Sequence, residues 1–144
     1  MSRQNPLGWD DLETGSSLSP GLHLGPISRT DIVRYQGASG DFQPIHHDEP
    51  FAKEAGYEAP LVVGMYPAGA LATWAAARIG PHRVRSFRCR FEQMVWPGDS
   101  LTGSGVIAEL DEEQRLVTVE LALLNQENQV VLTASLTADF TEPA

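Results

Sequence analysis

The second half of the chain alternates between apolar and polar positions at the period of a β-strand. From Arg85 to Val95, Phe87, Cys89 and Phe91 fall on one side and Arg88, Arg90 and Glu92 on the other. The run Leu116 to Leu124 alternates through Val117, Val119, Leu121 and Leu123. The run Val130 to Phe140 alternates through Leu132, Ala134, Leu136 and Ala138. Leu101 to Leu110 is a further strand, in which Gly103 and Gly105 point to a bend or a close backbone approach. Trp96 to Asp99 reads as a turn, and Asp111 to Gln114 and Asn125 to Asn128 as hairpin turns.

The first half reads differently. Met1 to Pro6 is expected to be loose, and Gly21 to Ile27 to form a first strand. A helix is predicted over Ser28 to Gly37, capped by Ser28 or Thr30, with Ile32, Val33 and Tyr35 giving it apolar contacts. Asp48 or Glu49 precedes Pro50 and suits the start of a short helix through Phe51 to Ala55, which Gly56 stops. The Ala-rich stretch from Met65 to Ile79 has helix-forming composition and is closed by Gly80 and Pro81. Its small residues, Ala68, Gly69, Ala70, Ala72, Ala75 and Ala76, let a curved sheet approach closely. One long helix followed by consecutive antiparallel strands implies an α+β layered domain. Pattern alone does not choose among α+β folds.

Composition narrows the class. With 144 residues, 42% of them hydrophobic, the chain suits one domain with a real core. Its net charge of −9 argues against nucleic acid as a partner. The lone Cys89 permits no internal disulfide, fits a reducing cytoplasm, and reads as a buried structural thiol. Met1 to Gly15 has no apolar run of the signal-peptide kind. Leu61 to Ile79 is too weakly hydrophobic for a membrane span and reads as a core helix.

Candidate chemistry concentrates between Ser39 and Asp48, SGDFQPIHHD. Pro44 and Gly40 make this a bent loop, and a bent loop can aim the Asp41 carboxylate and the His46 imidazole at one point. An acid and a base on one point suit proton transfer. The bland alternative for Asp41 is a turn-forming residue bonded to its own backbone. His47 is expected to point elsewhere, and His82 to be a surface residue. His46, His47, Asp48 and Glu49 are consecutive and cannot all converge on one ion, so no metal is expected. Gly64 falls at the start of the long helix, where an unpaired N–H at the positive end of the dipole can receive an oxygen gaining charge. Arg78, Arg83, Arg85, Arg88 and Arg90 hold five of the ten basic residues. They suit phosphate or an acidic carrier protein; the alternative is the solvated outer face of a strand. The glycines form no dinucleotide fingerprint.

The loop GDFQPIHHD, followed by VVGM and the Ala-rich helix, resembles the MaoC-like, or R-specific enoyl-CoA hydratase, branch of hot-dog-fold proteins, whose loop commonly reads G-D-x-N-P-x-H. WDDLETG (Trp9 to Gly15) is similar to the family's opening strand, and FEQMVWPGDSLTGSG (Phe91 to Gly105) to its strand after the helix. The resemblance implies one hot-dog domain over residues 1–144, with an antiparallel sheet wrapped around a long central helix. It implies a hydro-lyase that reversibly hydrates trans-2-enoyl-CoA, or enoyl-carrier-protein, thioesters to (R)-3-hydroxyacyl thioesters. Asp41 and His46 would be the catalytic pair and Gly64 the donor to the thioester oxygen. No metal or redox cofactor is implied, coenzyme A entering only as the substrate thioester. The implied assembly is a homodimer, or a heterodimer with a related subunit, joined edge to edge with each site near the interface. Gln43 stands where the family has Asn, Val63 where many members have His, and Ala72 near a position that is often Ser, which suggests a more apolar pocket. Gln43, Val63 and Met65 are expected along the substrate, with Arg83, Arg85 and Arg88 at its phosphates. The competing readings are a hot-dog acyl-CoA thioesterase and one subunit of a heteromeric 3-hydroxyacyl dehydratase.

Overall fold

The structure is a computed structural model and describes residues 5–141; of the segment expected to be loose, residues 1–4 lie outside the described residues. Its elements are β1 (Leu22–Leu24), α1 (Arg29–Ser39), α2 (Glu49–Glu54), α3 (Met65–Ile79), β2 (Val84–Phe91), β3 (Leu101–Asp111), β4 (Leu116–Leu124) and β5 (Val130–Asp139). The strands form one antiparallel sheet in the order β1-β3-β4-β5-β2.

Helix α3 packs against β1, β2 and β5, so it touches both edges of that sheet. In a flat sheet, four spacings of about 4.8 Å would put the edges roughly 19 Å apart, while a helix is only about 10–12 Å across. The sheet is therefore curled around α3. Bulges between Val84 and Ser86 in β2 and between Ile107 and Glu109 in β3 contribute to the curl. The glycines of β3 let its neighbours close in. A β-carbon on Gly105 would stand 2.7 Å from Leu121 Cδ2, and one on Gly103 would stand 2.9 Å from Leu22 Cβ.

The predicted alternation is realised as burial. Val117, Val119, Leu121 and Leu123 of β4 face inward, as do Leu132, Ala134, Leu136 and Ala138 of β5. They meet Ala68, Leu71, Ala75 and Ile79, the inner stripe of α3. Each fully buried Leu or Ile contributes about 1.5–3 kcal/mol. Cys89 is half-buried against this core. Among the described residues no helix is long and apolar enough to cross a membrane.

Capping fixes the helices that flank the Asp41–His46 loop. Ser28 Oγ accepts the Asp31 N–H at 3.1 Å while Asp31 Oδ2 accepts the Ser28 N–H at 2.9 Å. Gly40, at φ 76°, closes α1 in the left-handed region. Asp48 accepts the Phe51 N–H at 3.0 Å and caps α2, which starts at Glu49 just before Pro50, as expected.

Several expectations need correction. Only Leu22–Leu24 pairs as a strand, because Gly25 at φ 108° turns the chain so that Ile27 bonds Asp99 and Gly98 instead. Strand β2 ends at Phe91, not Val95, where the Glu92 and Gln93 N–H groups both donate to the Val131 carbonyl. Trp9 to Gly15 is no strand. Trp9–Asp11 is a single 3₁₀ turn whose Gly8 N–H is held by the Asp11 carboxylate at 2.7 Å, and only Gly15 to Leu18 run beside β3. Arg83 is not a surface cation. It is 5% exposed, donates to the Ile79 and Leu7 carbonyls at 3.0 and 2.8 Å, and lies over the Phe140 ring.

Candidate functional site

Gln36 organises the loop. It sits one turn after Ile32 on the inward face of α1 and is 3% exposed. Its Nε2 donates to the carbonyls of Asp41 at 2.8 Å and Gln43 at 3.3 Å. Those two acceptors fix the amide's orientation, so Oε1 must accept from His47 Nδ1 at 3.1 Å. His47 thus turns back toward α1, as expected. The loop has been bent around one buried amide.

His46 is set by a different partner. Its Nδ1 lies 2.8 Å from the Leu61 carbonyl oxygen. A carbonyl only accepts, so Nδ1 carries the proton, and the neutral ring keeps its Nε2 lone pair free. The Leu61 N–H in turn donates to the Ile45 carbonyl at 3.2 Å, and the Val62 N–H to Val95 at 2.9 Å. Two residues further on is Gly64. Segment 61–64 therefore ties the imidazole directly to the start of α3.

Gly64 caps α3, as anticipated, and is half-buried. Among the described residues its N–H has no hydrogen-bond acceptor. It borders a cleft of about 360 Å³ that is lined mainly by apolar side chains, including Leu61, Pro67, Phe91, Met94 and Leu132. The cleft is within the size range of small-molecule sites.

Asp41 is exposed, and its Oδ1 accepts the Gln43 N–H at 3.2 Å. That is the turn-forming bond of the bland reading, and it leaves the second carboxylate oxygen for another partner. Neither Asp41 nor His46 lines the cleft within this chain; Leu61 is the link between His46 and the cleft. Gln43 and Met65 are exposed, and neither lines the cleft. Val63 is not on the cleft but in the core, 3% exposed. Arg85 pairs with Asp139 at 3.0 Å, and Arg88 is exposed on the sheet face away from α3. Among the described residues no group of three or more His, Cys, Asp or Glu is placed to hold a metal ion. Sequence reasoning passed over Gln36 and Phe91. The signal for Gln36 was a polar residue four positions after an apolar one on a helix face.

A curled antiparallel sheet closed around one long helix makes this a hot-dog-fold protein. The family model described as MaoC like domain matches residues 20–130, and the chain belongs to that family of MaoC-like dehydratases and enoyl-CoA hydratases. It is 32% identical over 111 residues to 3-hydroxybutyryl-CoA dehydratase of Methylorubrum extorquens, covering 76% of this chain and 69% of that protein. It is 28% identical to (R)-specific enoyl-CoA hydratase of Rhodospirillum rubrum over 76% of each. Other relatives are far longer. The chain spans 5% of fatty acid synthase subunit beta of Saccharomyces cerevisiae, at 30% identity over 113 residues, or 76% of this chain. Among solved structures it is similar to a MaoC-like dehydratase, with TM-score 0.84 and 30% identity over 95% of this chain and 44% of that one. It is also similar to the ChsH1-ChsH2 complex from Mycobacterium tuberculosis, with TM-score 0.77 and 26% identity over 88% and 97% of the chains.

Proposed function

We propose that this chain is a single hot-dog domain that reversibly adds water to trans-2-enoyl thioesters of coenzyme A or a carrier protein, giving (R)-3-hydroxyacyl thioesters. The observation that carries the proposal is the hydrogen bond from His46 Nδ1 to Leu61, which leaves the Nε2 lone pair available and ties the ring to a segment ending on Gly64, whose N–H has no acceptor among the described residues. Family membership supports the reaction class. In this reading Asp41 and His46 hold one water. One takes its proton as the oxygen bonds to carbon 3, and the pair then delivers that proton to carbon 2, so both groups end in the protonation state in which they began. The Gly64 N–H stabilises the enolate-like thioester oxygen, a contribution of about a hundredfold or more in rate. Only water and protons move, so the chemistry calls for no metal or redox group.

A second subunit belongs to the proposal. Phe91 and Met94 stand 50 and 51% exposed on the cleft, Met65 is 53% exposed next to Gly64 in the chain, and β2 leaves one edge unpaired among the described strands. Edge-to-edge pairing along β2, by another copy or a related subunit, covers both. The phosphate end is assigned to Arg88, which has no ion-pair partner among the described residues, with Arg85 available once it leaves Asp139. Arg83 is withdrawn from that role. The lone Cys89 supports a cytoplasmic setting.

Asp41→Asn and His46→Ala, with folding checked by circular dichroism, should each slow hydration of crotonyl-CoA by about a hundredfold or more. The assay is loss of the conjugated absorbance. Turnover at the wild-type rate in either variant overturns the assignment, and thiol release without loss of that absorbance points to a thioesterase.

A further inference from the structure

We infer that Phe91 is a specificity-determining residue that restricts bulk on the acyl carbons nearest the thioester carbonyl, while leaving chain length to the rest of the cleft. The inference rests on the proposed placing of that carbonyl at Gly64.

Phe91 closes β2 on the same face as Phe87 and Cys89. Those two pack against the core, but Phe91 is half exposed, because by this point the strand has run past the core beneath it. What lies beneath Phe91 is the first turn of α3. A β-carbon on Gly64 would stand 3.1, 3.4 and 3.5 Å from Cε1, Cδ1 and Cζ of the ring. The ring edge therefore crowds the position that a side chain at 64 would take. One aromatic ring both walls the cleft and lies over the α-carbon of the proposed oxyanion donor. An acyl group whose carbonyl oxygen reaches the Gly64 N–H must carry carbons 2 and 3 past this ring. In this reading carbons further out are left to the rest of the cleft, where Met94 is among the lining residues. A flat ring edge adapts its shape less than an aliphatic chain does.

One misplaced methyl group in an apolar pocket changes discrimination by about 10–200-fold. The test compares wild type, Phe91→Ala and Phe91→Leu on crotonyl-CoA, its 2-methyl homologue tigloyl-CoA, and trans-2-octenoyl-CoA. Phe91→Ala should raise the tigloyl-to-crotonyl ratio of kcat/KM by about tenfold or more. The octenoyl-to-crotonyl ratio should stay within about threefold, with Phe91→Leu intermediate. A tigloyl ratio that does not move, or an octenoyl ratio that moves as far, overturns the inference. Calorimetry with unreactive isobutyryl-CoA and butyryl-CoA separates this from the reaction itself. If wild type hydrates none of the enoyl thioesters, the proposed reaction fails. The change in isobutyryl-to-butyryl affinity between wild type and Phe91→Ala then decides the role of Phe91: a rise supports it, and no change overturns it.

Discussion

Replacing Gln36 by Leu keeps the volume of a buried side chain while removing three hydrogen bonds at once. Two of these hold the Asp41 and Gln43 carbonyls and the third holds His47. At about 1 kcal/mol net for each bond, the variant should lose roughly 3 kcal/mol of stability. At this chain length that corresponds to a fall of roughly 10 °C in Tm. The loss stays near this value, not higher, because the loop is exposed and water can reach its freed carbonyls. Catalysis should suffer separately. Gln36 touches no proposed reacting group, but it sets where the Asp41 end of the loop lies relative to His46. A misplacement of about 1 Å can cost about a hundredfold in rate. In crotonyl-CoA hydration at a temperature where the variant is folded, kcat should fall at least tenfold, with KM within about threefold. Gln36→Glu sharpens the test, since its carboxylate can still accept from His47 but confronts two carbonyl oxygens with a negative charge. It should lose more activity than His47→Ala, which gives up one bond only. An unfolding free energy from urea titration within about 0.5 kcal/mol of wild type and an unchanged kcat in Gln36→Leu would refute the idea that this amide shapes the loop.

Arg83→Met should cost about 3 kcal/mol in urea unfolding, since it removes two charged hydrogen bonds and the contact with Phe140, while KM for crotonyl-CoA stays within about twofold. A stable variant with weakened coenzyme A binding would return Arg83 to the phosphate site. Asp139 is held down to about 2 from its ordinary 3.8, first by the Thr141 hydroxyl and backbone N–H and then by Arg85. Its folded value is the lower one, so its contribution is present above about 3.8 and lost as the pH falls through about 2. Urea midpoints of Asp139→Asn should therefore depend less on pH between 4 and 2 than those of wild type, and parallel curves would exclude the effect.

The fold was largely legible because its strands bury one face each. Alternation at period two in Val117–Leu123 and Leu132–Ala138 is a direct record of that burial. Helix α3 was legible to the residue, since Gly64 and Gly80 bracket an Ala-rich run that nothing else in the chain resembles. What failed was local geometry decided by distant partners. Gly21 to Ile27 has strand composition throughout, yet Gly25 turns and Ile27 is captured by Gly98 and Asp99, over seventy positions away. Trp9 to Gly15 was judged on similarity alone, and the Asp11 carboxylate folds it into a turn.

Arg83 and Gln36 show why charge and polarity misled where apolar pattern did not. An arginine beside four others reads as part of a basic face, because sequence records neighbours along the chain and not the carbonyls waiting at Leu7 and Ile79. A buried cation is tolerated only when such acceptors are supplied, and nothing in the Arg83 neighbourhood announces them. Gln36 is the reverse case, a polar residue hidden on an apolar face because the loop it serves is too short to satisfy its own carbonyls. The loop motif names the groups proposed to react; the partners that aim them lie outside it. For His46 the deciding atom is a backbone oxygen fifteen positions later, at Leu61, and a main-chain carbonyl carries no residue type. The wall at Gly64 is of the same kind. Phe91 and Gly64 are twenty-seven positions apart, and only the curl of the sheet around α3 makes the absence of one side chain the place of another.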